Sequence, residues 1–104
     1  RKAAASILIC GDLHRAFVKA PDFWVIDGAI AAENTLIAAQ ALGLGAVWLG
    51  TWPRADAILG QKTLFDLPEH ILPHSILALG WPEGDLTAPR PDRYEEEKVH
   101  WEKW

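Results

Sequence analysis

The chain has 104 residues, half of them apolar and 23% charged, with a formal net charge of −4 and a single cysteine. That length suits one small domain or part of a larger one, and the composition excludes a disordered chain. The acidic balance with scattered Lys and Arg excludes a nucleic-acid footprint, and the lone Cys10 excludes an internal disulfide framework and suits the cytoplasm.

In chain order, AAASILICGD predicts a strand over residues 6–10, closed by the turn pair Gly11-Asp12. The apolar run from Ala3 to Cys10 is too short to span a membrane, so no membrane partner is expected. LHRAFVKAPDFW, broken by Pro21, reads as a connection with at most one helical turn. DGAIAAENTLIAAQAL predicts a helix over residues 27–42, with Asp27 as N-cap and Gly43 as the left-handed residue that ends it. Ala, Ile and Leu cover most of its circumference, which predicts burial on most sides.

GAVWLG then predicts a short buried strand, fed by the turn at Gly45 into the middle of a sheet, and RADAILGQKTLF a second helix flawed by Gly60. After DLPEHILP, HSILALGWP predicts a third strand over residues 75–79, stopped by Gly80 and Pro82. Residues 83–92 are loop-like. In the closing RYEEEKVHWEKW, Glu95 to Glu97 read as a solvated face, whereas Tyr94, Trp101 and Trp104 predict docking on the chain's own body or on a partner subunit. The order strand, helix, strand, helix, strand predicts an α/β fold in the loose, α+β sense: one domain over residues 1–104, its three-stranded sheet flanked by helices, with residues 88–104 as an extended tail. With no methionine and Arg1-Lys2 at its start, the chain reads as a processed, trimmed or truncated piece of a longer reading frame.

Few residues point to chemistry. Gly43 and Gly45 imitate a dinucleotide-binding turn, but the helix precedes the glycines here, and its negative C-terminal end repels a pyrophosphate. Gly50, beside Thr51 and Trp52, is either a plain strand end or a place where a flat ligand meets bare backbone. Cys10, Asp12 and His14 are close in sequence, but alternation puts Cys10 and Asp12 on one face and His14 in a loop. A buried thiol is therefore expected rather than a nucleophile. His70 and His74 have metal-ligand spacing, yet Pro68 and Pro73 deny them a common helix, so no metal site is expected. Arg90 and Arg93, in a proline-stiffened segment, suit either a phosphate monoester or the neighbouring glutamates. No catalytic side chain is evident.

The strings WVIDGAIAAENTLIAAQALGLGAVWLG, FDLPEHILPHSILALGWP and RYEEEKVHWEKW together resemble the C-terminal half of the nitroreductase family of flavoproteins, over residues 5–104. The resemblance implies an intertwined homodimer with FMN at the subunit interface, passing hydride from NADH or NADPH to nitroaromatic, quinone or similar acceptors in ping-pong fashion. It implies that Trp48, Leu49, Gly50 and Thr51 lie against the flavin, with the Gly50 amide as donor to the N5 region. It also implies Arg93 on the FMN phosphate, with Arg90 standing in for a lysine that Pro91 replaces, a dimer interface on the Ala-rich helix, and a tail that wraps over the partner. The Arg-Ser-x-Arg segment of the family's N-terminal half has no counterpart in this chain. The alternative is a truncated, non-catalytic dimeric domain that has lost flavin.

Overall fold

Apolar strings that alternate sides need a partner on each edge, and here three of them collect into one antiparallel sheet. The computed structural model describes residues 3–83, 89 and 91–104. Its elements are β1 (Ala5–Asp12), α1 (Phe23–Ala41), β2 (Gly45–Gly50), α2 (Ala55–Leu64) and β3 (Ile71–Gly80), with a 3-10 turn at Glu96–Lys98. The strands lie in the order β1-β3-β2, both pairings antiparallel, giving the expected α+β class.

β3 takes the centre, whereas GAVWLG forms an edge rather than the buried central strand expected, leaving Val47 and Leu49 exposed. β1 and β3 are both longer than their apolar cores suggest. Gly11 and Asp12 do not end β1 but pair with Leu72 and Ile71, so β3 begins before Pro73. Proline gives no N–H to a ladder and is tolerated inside a sheet only at an irregularity. The register here jumps from Ile9 opposite Ser75 to Cys10 opposite Pro73, which leaves His74 as the extra residue of a bulge. The bulge turns His74 and Ser75 to the same side, with His74 Nδ1 3.1 Å from Ser75 Oγ.

Helix α1 also starts earlier than expected, with Asp22 rather than Asp27 at its N-cap and no side-chain cap bond. Packing recruits the extra turn: Trp24 is buried against β1 at Gly11, where a Cβ would overlap the indole. At its other end the helix stops as expected. Gly43 has φ +73°, its N–H donates to Gln40 O at 3.0 Å, and the Leu44 N–H donates to Ala39 O at 2.9 Å. These two bonds satisfy carbonyls the helix would otherwise leave open.

The helix is not buried on most sides within this chain. Its buried residues are Trp24, Gly28, Ala32 and Ala39, one stripe facing the sheet, while Phe23, Ile26, Ile30 and Ile37 are exposed. Nor does the tail dock on its own body, because Tyr94, Trp101 and Trp104 are all exposed. The chain presents 8565 Å² to solvent, where a compact monomer of its mass would present about 5800 Å². Its radius of gyration is 17.0 Å against about 13 Å for a compact chain of similar length. Among the described residues no helix is long and apolar enough to cross a membrane.

Two glycine substitutions test this packing with opposite signs. Gly60 sits inside α2 with nothing within 4 Å of an added Cβ, so Gly60→Ala should stabilise by about 0.5–1 kcal/mol through helix propensity. At Gly28 the new Cβ would lie 2.8 Å from His74 Cγ, and overpacking should outweigh propensity to give a net loss of about 1–3 kcal/mol. Urea unfolding midpoints of the two variants check both.

Candidate functional site

The end of β2 is where the sequence places a ligand, and its geometry follows from the pairing with β3. The Thr51 N–H donates to His74 O at 3.1 Å. In an antiparallel pair successive amides alternate between the partner strand and the opposite side, so the Gly50 N–H is turned away from β3, toward the free edge of the sheet. A Cβ on Gly50 would meet nothing within 4 Å. The result is a bare amide on an open rim.

The turn behind Gly50 is held firmly. The Trp52 N–H also donates to His74 O, at 3.0 Å, and the Arg54 N–H to Thr51 O at 2.9 Å, around a cis Trp52-Pro53 bond. Thr51 is fully buried, and its hydroxyl exchanges hydrogen bonds with the Gln61 carboxamide at 3.0 and 2.8 Å. Thr51 thereby ties β2 to α2. Under the turn lies an aromatic cluster. Trp24 meets Trp52 edge-on at 5.0 Å and His74 at 6.0 Å, and Trp48 leans on His74 at 5.8 Å.

The structure divides the residues that the sequence groups together. Trp48 and Gly50 share one face, Leu49 projects from the other, and Thr51 is an internal anchor with no surface to offer. Arg93 is exposed on the tail and makes no hydrogen bond or ion pair among the described residues. Arg90 lies outside the described residues.

His74 is the member of this region that sequence reasoning set aside. It is 6% exposed, and burial pushes its pKa below the usual histidine value, against a smaller upward pull from a hydrogen bond with the Val25 backbone. The signal was Pro73, whose place in an apolar run announces the bulge that delivers His74 to the core. His70 does not meet His74 but stacks on His14. Cys10 corrects another expectation: it is exposed rather than buried, because the bulge falls beside it. Partial desolvation pushes the thiol's pKa up, which leaves it a poor nucleophile.

Among the described residues, depressions flank the sheet away from Gly50. One of about 450 Å³ lies at the start of β2 and the end of β3, lined largely by backbone and apolar groups such as Gly45, Val47, Gly80 and Pro82. The other, of about 280 Å³, lies between β1 and α1 and includes Cys10, Asp12, Arg15 and Asp27. Neither contains the bare amide of the β2 rim.

Comparison with known proteins gives this arrangement a context. Residues 2–81 match the model of the Nitroreductase family. A "Putative NADH dehydrogenase/NAD(P)H nitroreductase" of Methanothermobacter thermautotrophicus is 41% identical over all of this chain and 52% of its own length. The FMN reductase (NADPH) of Bacillus subtilis is 34% identical over 64% of this chain and 26% of its own. Among solved structures, a "Putative NADH Oxidase" of Clostridium acetobutylicum superposes with a TM-score of 0.88 at 33% identity, over 98% of this chain and 60% of that one. The chain spans between about a quarter and about half of the length of these curated relatives.

The buried imidazole makes stability depend on pH. Its pKa is lower folded than unfolded, so between that folded value and about 6.5 the unfolded state binds the extra proton. Stability should therefore fall as pH drops below about 6.5, with a slope of at most about 1.4 kcal/mol per pH unit from this group. Urea unfolding between neutral and mildly acidic pH checks this, and His74→Asn should flatten the dependence.

Proposed function

This chain belongs to the nitroreductase family, and from that premise we propose that it is the flavin-edge portion of an FMN-dependent NAD(P)H oxidoreductase. The observation that carries the reading is the Gly50 amide on the open rim of β2, with no side chain to hold a flat ring away from the backbone. FMN, if held at the rim by Gly50 and Trp48, would supply hydride chemistry of the ping-pong type between NADH or NADPH and a nitroaromatic, quinone or similar acceptor.

The residues present fit the ring end of that cofactor. Gly50 offers an N–H donor, Trp48 on the same face offers an aromatic wall, and the half-buried Thr51–Gln61 pair braces the rim. Arg93, with Arg90, is the proposed holder of the phosphate, and Arg93 is exposed on the tail rather than on the sheet. Their delivery to the rim fits a homodimer in which residues 88–104 cross to a second copy. Supporting this are the exposed Phe23, Ile26, Ile30 and Ile37 of α1 and the exposed tail tryptophans, apolar surface that a lone chain leaves in water. No side chain at the rim has to act as acid, base or nucleophile. The rim's part is to hold and orient.

A second reading is a dimeric domain without flavin. Titration with FMN separates the two. Quenching of flavin fluorescence with saturation at one FMN per chain supports the oxidoreductase, and no binding leaves the scaffold reading. Gly50→Ala should leave the unfolding midpoint within the range of a neutral surface change, since the methyl meets nothing, yet weaken FMN at least about tenfold by lifting the ring off the amide. Arg93→Ala should weaken FMN by about 1.5–3 kcal/mol through loss of a charge-assisted phosphate contact. Unchanged affinity in either variant removes that residue from the site.

A further inference from the structure

The turn that follows β1 and the turn that precedes β3 meet at one end of the sheet. Asp12 pairs with Ile71, so the residues just beyond them, His14 and His70, fall together. A hydrogen bond from Leu13 N–H to His70 O, 2.9 Å long, stitches the two turns. The His14 backbone N–H donates to Asp12 Oδ1 at 3.0 Å, which orients the carboxylate. Lys62 Nζ holds the other turn from behind, donating to the carbonyls of Pro68, Glu69 and Ile71 at 3.2, 2.8 and 3.3 Å. Between these braced turns the His14 and His70 rings stack, with centroids 4.1 Å apart and planes 2° from parallel.

One donor atom from each of Asp12, His14 and His70 lies within 4.8 Å of the other two. We propose that these three residues bind one divalent transition-metal ion of borderline softness, the class to which Zn²⁺ belongs. Two imidazoles and a carboxylate suit zinc, cobalt, nickel or copper, whereas calcium and magnesium take oxygen ligands. Donors around a tetrahedral zinc with bonds of about 2.0–2.1 Å stand about 3.3 Å apart, so no gap has to close by more than about 1.5 Å.

Closure also has a defined direction. A metal ion lies in the plane of each imidazole that binds it, and two parallel planes never meet, so the rings fan apart as the ion enters. His14 is exposed and carries that tilt, while Asp12 and His70 are half-buried and serve as the fixed side. Three protein ligands leave a fourth position to water. Arg15 and Lys62 are the neighbouring cations; the Lys62 ammonium is already spent on three carbonyls, and Glu69 stands beside His70 as a compensating acid. The cluster occupies the β1 edge of the sheet, across β3 from the Gly50 rim.

The test uses the full chain, stripped with a chelator and titrated with Zn²⁺ by calorimetry and with Co²⁺ by visible absorption. One ion per chain is expected, at micromolar affinity or tighter, with the absorption of imidazole-bound cobalt. His14→Ala, which changes an exposed turn residue and should fold normally by circular dichroism, should weaken binding at least about tenfold, as should Asp12→Asn. A His14→Ala/His70→Ala double variant should lose the stoichiometric ion, and His100→Ala should keep it. Absence of binding, unchanged affinity in His14→Ala, or loss of the ion in His100→Ala but not in the double variant would each overturn the proposal.

Discussion

Helix α1 lies on the sheet at a distance that no Cβ would tolerate at its two points of closest approach. Gly11 on β1 receives the Trp24 indole, and Gly28 on α1 receives the His74 ring, so each layer contributes the glycine that the other layer's aromatic needs. This reciprocal fit sets the height of the helix above the strands. Burial in that fit holds the His74 pKa down: an aromatic shape of that size fills the space, and its backbone carbonyl receives the amides of both Thr51 and Trp52. The core contact and the geometry of the β2 rim therefore depend on the same residue.

From that contact outward the molecule becomes progressively less self-sufficient. Beneath α1 the stripe Trp24, Gly28, Ala32 and Ala39 is buried, yet the isoleucines on its flank and the tryptophans of the tail face water. Apolar surface so placed is of the kind that interfaces use, and the chain matches about half the length of the Methanothermobacter thermautotrophicus relative. Under the functional reading, this chain brings the rigid half of the cofactor's environment. The groups that would grip the phosphate travel on the tail.

What could be read from residues alone divides along a physical line. Apolar run length and the glycine at position 43 were enough for the number, type and order of the elements, because those depend on local pattern and on the one conformation glycine adopts freely. Strand ends and sheet position were not legible, since they are settled by partners. Pro73 enters β3 only because a bulge across from Cys10 accommodates it, and β2 lies at the edge because β3 has the length to serve two neighbours. The early start of α1 required knowing that Gly11 would be waiting for Trp24. At the rim, Gly50 was singled out for its missing side chain, but the direction of its amide follows from the register with Ser75. The meeting of His14 with His70 was invisible for the same reason: it joins residues far apart in sequence through one pairing of Asp12 with Ile71.

The outer rim of β2 has a further consequence. Among the described residues no further strand pairs with the outer edge of β2, and its backbone donors and acceptors beside exposed Val47 and Leu49 form a template on which an extended peptide could add itself as a fourth strand. The bareness that would admit a flat ligand at Gly50 offers no chemical discrimination against a stray segment of another chain. The short length of the strand and Pro53 just beyond it limit how far such an addition could run.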